Sequence, residues 1–131
     1  RLRLQAYERL VVFLERIQPR NLIPRIYHPE MSAKELQQAI TLQVNSEFEH
    51  NLSQQIYVST QVWDTVKNVK EQEINMVSQL SQQLKPDATA KDLHVRIIDY
   101  VLTVAGDMPT DIALQVINDE AKKVLHYGHE G

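Results

Sequence analysis

The chain has 131 residues, enough for one domain with a sizeable core, and its 43% apolar and 24% charged residues are an ordinary globular balance. With no cysteine there is neither a disulfide nor a thiolate zinc site, and no apolar run approaches the ~18 residues of a membrane span. Three glycines, at 106, 128 and 131, are too few for strands joined by tight turns, so the expected class is all-α. The net charge of −3 is unevenly spread: residues 1–28 hold six arginines against two glutamates, a surplus of four positive charges. The opening at Arg1, without methionine and inside a helical pattern, reads as a fragment of a longer protein.

A first helix is predicted to about residue 18, because Tyr7, Leu10, Val11, Leu14 and Ile17 share one helical stripe. Residues 19–31 contain Pro19, Pro24 and Pro29, which argue against a regular helix. Leu22, Ile23, Ile26 and Tyr27 make that stretch too apolar for a free linker, so it is expected as an irregular segment strapped to the bundle. Ser32 and Glu35 form a capping box that starts the second helix, with Met31 and Leu36 as its hydrophobic staple. Leu36, Ile40, Val44, Phe48 and Leu52 recur every four residues and carry it to about Gln54.

Ile56-Tyr57-Val58 interrupts the pattern, and Ser59 caps a third helix in which Val58 and Trp63 form a second staple. Its stripe runs through Val62, Val66, Val69, Met76, Leu80 and Gln83, with Ile74, Val77 and Leu84 widening it. Glu73 fills one expected apolar position, and snorkelling or pairing is the expectation for it. Helices of about 22 and 25 residues would be ~33 and ~38 Å long, joined in a long antiparallel hairpin. Lys85-Pro86-Asp87 stops the third helix. Thr89 with Asp92 starts a fourth, lined by Leu93, Ile97, Tyr100, Val101 and Val104 and closed by Gly106. Asp107 and Pro109 open a fifth, with Ile112, Val116, Ile117, Ala121, Val124 and Leu125 inward, and residues 128–131 are expected to fray. No repeat with a period of 20–50 residues is visible. The expectation is therefore a single all-α domain over 1–131, a bundle of about five helices.

Glu47-Phe48-Glu49-His50 places a carboxylate and an imidazole one helical turn apart, half of a ferritin-like di-iron pattern. The other half is lacking, since Lys91 and Lys123 precede His94 and His126 where glutamates would be needed. A three-ligand site could recruit Glu71 or Glu73, but a polar helix-pairing cluster is the simpler reading, and neither metal nor cofactor is expected. His126 and His129 flank a helix-ending glycine and read as a terminal pair. The arginine-rich first helix raises a nucleic-acid module as another alternative, but its glutamates and the acidic remainder of the chain oppose phosphate. Arg1, Arg3 and Arg9 instead suit a juxtamembrane position on the cytoplasmic side of a membrane helix.

Leu4-Gln5-Ala6-Tyr7-Glu8-Arg9-Leu10 with Leu14-Glu15-Arg16-Ile17, and the block from Glu47 to Ser59 with Trp63, resemble an uncharacterised family from Bacteroidota. The resemblance extends over nearly the whole chain. It implies a single-pass protein of the bacterial inner membrane, with a transmembrane helix ahead of a helical cytoplasmic domain, and it implies no activity. Glu47, His50, Asn51, Gln54, Gln55 and Tyr57 are expected at the end of the hairpin, either as a buried polar junction or as a partner-binding tip. The functional expectation is a non-enzymatic, membrane-tethered interaction or scaffold domain whose partner is another protein or a second copy. The alternative is a metal enzyme using Glu47 and His50.

Overall fold

Helix α1, Leu2–Ile17, buries Ala6, Tyr7, Leu10, Phe13, Leu14 and Ile17, so of the predicted stripe Val11 alone is only partly buried, and an alanine and a phenylalanine join it. The computed structural model describes residues 1–104 and 108–128, and of 127 and 128 the backbone alone. Gln18 is extended, with φ −58° and ψ 136°, and the chain turns there straight into a second helix, α2, Pro19–Ile26. This corrects the expectation of an irregular strap. Pro19 occupies the first turn, where no N–H is needed, so it starts a helix as readily as it ends one. Pro24 removes one internal hydrogen bond, and the Arg25 guanidinium supplies donors nearby, Nε to the Asn21 carbonyl at 3.2 Å and Nη2 to the Arg16 carbonyl at 2.7 Å. Burial of Leu22 and Ile23, each 1% exposed, offsets the cost of an imperfect helix and straps it to the bundle as expected.

Helix α3, Ala33–Glu49, begins at the predicted capping box: Ser32 Oγ accepts from Glu35 N–H, and the Glu35 carboxylate accepts from Ser32 N–H. It ends five residues earlier than the apolar repeat suggests. The side chains of the last turn compete for the backbone: Asn51 Nδ2 donates to the Glu47 carbonyl at 2.8 Å, and His50 Nδ1 lies 2.8 Å from the Ser46 carbonyl. The chain tightens into a 3-10 helix, Leu52–Tyr57. Leu52 therefore stands 41% exposed instead of continuing the stripe.

Helix α4, Thr60–Gln82, starts at Ser59, whose Oγ accepts from Val62 N–H, and buries Val62, Val66, Val69, Glu73, Val77 and Leu80. It packs against α3, as the helical hairpin requires, and most extensively against the last helix. Helix α5, Ala90–Thr103, opens with the second capping box, Thr89 with Asp92. Helix α6, Pro109–Gly128, starts at the predicted proline. Ala113 and Ile117 are its buried side chains, while Ile112 and Leu125, expected inward, are half exposed. The readings of Gly106, Asp107, His129, Glu130 and Gly131 fall outside the described residues.

The bundle is all-α, with no strand among the described residues, and its hydrophobic core draws on all six α-helices. One backbone feature organises it. Ser32 and Thr89 form an isolated antiparallel bridge, through Ala33 N–H to the Ala88 carbonyl and Ala90 N–H to the Met31 carbonyl, both 2.9 Å. The two capped helix starts are thereby locked side by side. Their sequences match too: Ser32-Ala33-Lys34-Glu35-Leu36 with Ile40, and Thr89-Ala90-Lys91-Asp92-Leu93 with Ile97. This short similarity lies outside the 20–50-residue window of common repeats.

Candidate functional site

The polar residues singled out in the sequence gather where the end of α3 meets α1, and the structure divides them into distinct roles. Glu47 is buried. Its carboxylate accepts from Arg16 Nε on α1, from Arg25 Nη2 on α2 at 3.2 Å, and at 3.4 Å from Gln43 Nε2 one turn earlier on α3. Burial alone would raise its pKa, but the hydrogen bonds from Arg16, Arg25 and Gln43 outweigh that and hold the carboxyl below its ordinary value. Glu47 is thus the anchor to which α1, α2 and α3 are tied, with both oxygens engaged. A metal there would have to displace two guanidinium groups.

His50, one turn on, is exposed, and Nδ1 faces a carbonyl that can only accept, so that nitrogen carries a proton. Neither Glu71 nor Glu73 approaches the pair: Glu71 is exposed and Glu73 lines a different cavity. Among the described residues no three His, Asp or Glu side chains are grouped to share a metal ion. Asn51 is spent on the α3 end, and Gln54 is buried with Nε2 donating to Ser53 Oγ at 3.2 Å. Gln55 remains exposed and Tyr57 half-buried. The aromatic part of the junction is Phe48, with ring centroids 5.8 Å from Phe13 and 5.1 Å from Trp63, and Lys70 Nζ 4.7 Å over its face.

The arginines are used inwardly. Arg3 Nε donates to the Tyr57 carbonyl at 3.2 Å and Arg9 Nη2 to the His50 carbonyl at 3.3 Å, so both satisfy backbone at the 3-10 junction. Arg1 is exposed at the start of α1. A further polar network escaped the sequence reading. Glu120 on α6 accepts from Tyr7 OH at 2.7 Å and from the Ser59 N–H at 3.1 Å, and lies 3.8 Å from Arg3. Burial, and next the bond to Glu120, push the Tyr7 hydroxyl up to about 12. Burial also opposes ionisation of Glu120, but bonds from Ser59 and Tyr7 prevail and lower its pKa. No local pattern marks Glu120, because its partners lie on other elements.

Between α1 and α3, over the Glu47 anchor, lies an open groove of about 490 Å³. Arg9, Val12 and Arg16 line one side, and Ser46, His50 and Asn51 the other. Arg16 is half exposed and Val12 is 54% exposed, so the groove offers guanidinium donors beside an apolar side chain. Glu8 also lines it, so carboxylate, guanidinium, imidazole and apolar groups share one open surface.

The match to a family model extends over residues 1–124. The chain belongs to DUF7935, a family of unknown function. No curated protein and no solved structure matches it.

Proposed function

We propose that this member of DUF7935 is a non-enzymatic interaction or scaffold domain, tethered at the cytoplasmic face of a membrane, that receives a protein segment in the α1–α3 groove. The observation that carries this reading is the convergence of Arg9, Val12 and Arg16 with His50 and Asn51 around one open groove. A segment with a carboxylate to meet the arginines and an apolar side chain to cover Val12 fits that chemistry. Glu47, below, keeps both walls in register through its bonds to Arg16 and Arg25. The metal reading is disfavoured by those same bonds. The nucleic-acid reading is disfavoured because Arg3 and Arg25 donate into the protein and the chain beyond residue 28 is acidic.

The tether is proposed to be a helix ahead of Arg1, since no helix among the described residues is long and apolar enough to cross a membrane. Crosslinking of the full-length protein in native membranes tests the groove. Val12→Asp and Arg9→Glu should abolish the crosslinked partner, while Lys34→Glu, on an exposed position of α3, should retain it. Equal recovery from all three variants would refute the groove as the docking surface.

A further inference from the structure

A second cavity, of about 720 Å³, opens where the C-terminal half of α5 stands over α4. Its apolar lining comes from Val69, Met76 and Leu80 of α4, from Ile98, Val101 and Leu102 of α5 and from the start of α6, and glutamines of α4 stand among its polar lining. The size falls within the range of small-molecule sites, which typically combine an apolar wall with a few placed polar groups. Leu102 at its lip is 79% exposed and Tyr100 beside it 38%.

Glu73 supplies the polar group. It lines this cavity from α4, it is only 9% exposed, and its Oε2 is buried with no hydrogen-bond partner among the described residues. A buried carboxylic oxygen without a donor is costly, and natural cores rarely tolerate one without a use for it. Val69, Val77 and Leu80 share its buried stripe on α4, and a leucine or methionine would satisfy that stripe at this position. The charges of the wall have one dominant sign. Among the described residues Arg20 lies 3.8 Å from Glu15 and offsets it, which leaves Asp111 and, once ionised, Glu73 as the uncompensated charges of the wall.

We propose that the α4–α5 cavity is a binding site for a small amphipathic amine, its ammonium donating to Glu73 and its apolar body lying along Ile98, Val101 and Leu102. The ammonium supplies the donor that the Glu73 carboxyl group lacks and relieves the negative balance of the wall. The apolar body covers aliphatic surface that α5 leaves open. An anionic amphiphile would add charge to a wall already acidic, and a neutral alcohol would satisfy the hydrogen bond without the ion pair. This site is separate from the α1–α3 groove, and neither proposal rests on the other.

Calorimetric titration of the protein with n-octylamine, n-octanol and octanoate tests the site. Octylamine should bind at least roughly tenfold more tightly than octanol, and octanoate most weakly, as one charge-assisted hydrogen bond implies. In Glu73→Gln, which keeps the shape of the side chain, the preference for amine over alcohol should vanish while octanol binding stays within about threefold. Val101→Trp, which fills the cavity, should lose both ligands. Failure of octylamine to bind, an unchanged preference in Glu73→Gln, or undiminished binding by Val101→Trp would each overturn the proposal.

Discussion

Glu73 sits at an aliphatic position of α4, and its raised pKa of about 8 is a consequence of burial alone. The sequence reading expected it to snorkel or pair, and it does neither, because the inward face of α4 is fixed by the valines at 62, 66, 69 and 77. The folded state holds this proton to higher pH than the unfolded chain does. Its favourable contribution is therefore complete below the ordinary glutamate pKa of 4.5 and is lost as pH rises towards 8. Glu73→Gln should have nearly the parent's stability at about pH 5 and exceed it at about pH 9, flattening the slope between them. Denaturant midpoints measured across that range provide the check, and parallel pH profiles would contradict it. Tyr7 makes the opposite kind of contact, since its hydroxyl meets an ionised partner. Tyr7→Phe should cost about 1–3 kcal/mol in chemical denaturation, by leaving Glu120 short of one donor. A loss within error would show that Arg3 and Ser59 suffice to hold that carboxylate.

At the scale of elements, capping decides where the helices begin and lateral contacts decide where they end. Ser32, Ser59 and Thr89 each accept a backbone N–H three residues on, and all were legible because capping chemistry is local. Ser32→Ala and Thr89→Ala should each destabilise by about 0.5–2 kcal/mol. Because the Ser32–Thr89 bridge couples the two helix starts, the double variant should depart from the sum of the single ones by more than ~0.5 kcal/mol. A thermodynamic cycle from urea titrations measures this directly, and strict additivity would mean that the bridge transmits nothing. The end of α3 is less local. Its apolar repeat continues to Leu52, and the helix stops because Asn51 and His50 turn back on the last carbonyls while Arg9 takes up that of His50. Proline misled in the same way at α2, where burial of Leu22 and Ile23 outweighs the bond lost at Pro24.

For the molecule as a whole, the arrangement places α1 at the centre of the polar organisation. Its arginines reach the end of α3 and the 3-10 helix, its Arg16 carbonyl accepts from Arg25 of α2, and its Tyr7 reaches α6. The proposed tether would continue from this helix. Full-length protein should contain an apolar run of ~20 residues ahead of Arg1 and sediment with membranes, this domain yielding to protease from the cytoplasmic face only. A cleavable leader, or recovery in the soluble fraction, would leave the arginines with their internal bonds as their sole role. Even then the groove and the cavity would stand, since each is built by side chains within the described bundle.

Helical class, the three side-chain caps and most of the buried stripe followed from sequence alone, because periodicity and capping depend on residues three or four positions apart. Leu10, Leu14, Ile40, Val66 and Leu93 are buried as their spacing requires. The six residues expected at the hairpin end received their individual positions from folding alone. Glu47 became an anchor because Arg16 and Arg25 arrive from other helices, and Gln54 was buried while Gln55, its neighbour, was left outside. Long-range packing likewise paired Tyr7 with Glu120, stranded Glu73 in an aliphatic wall and joined Ser32 to Thr89. Those outcomes depend on which helices meet and at what height. A one-dimensional pattern carries no such information, and the tertiary structure decides it by burying the most apolar surface that still leaves nearly every buried polar group a partner.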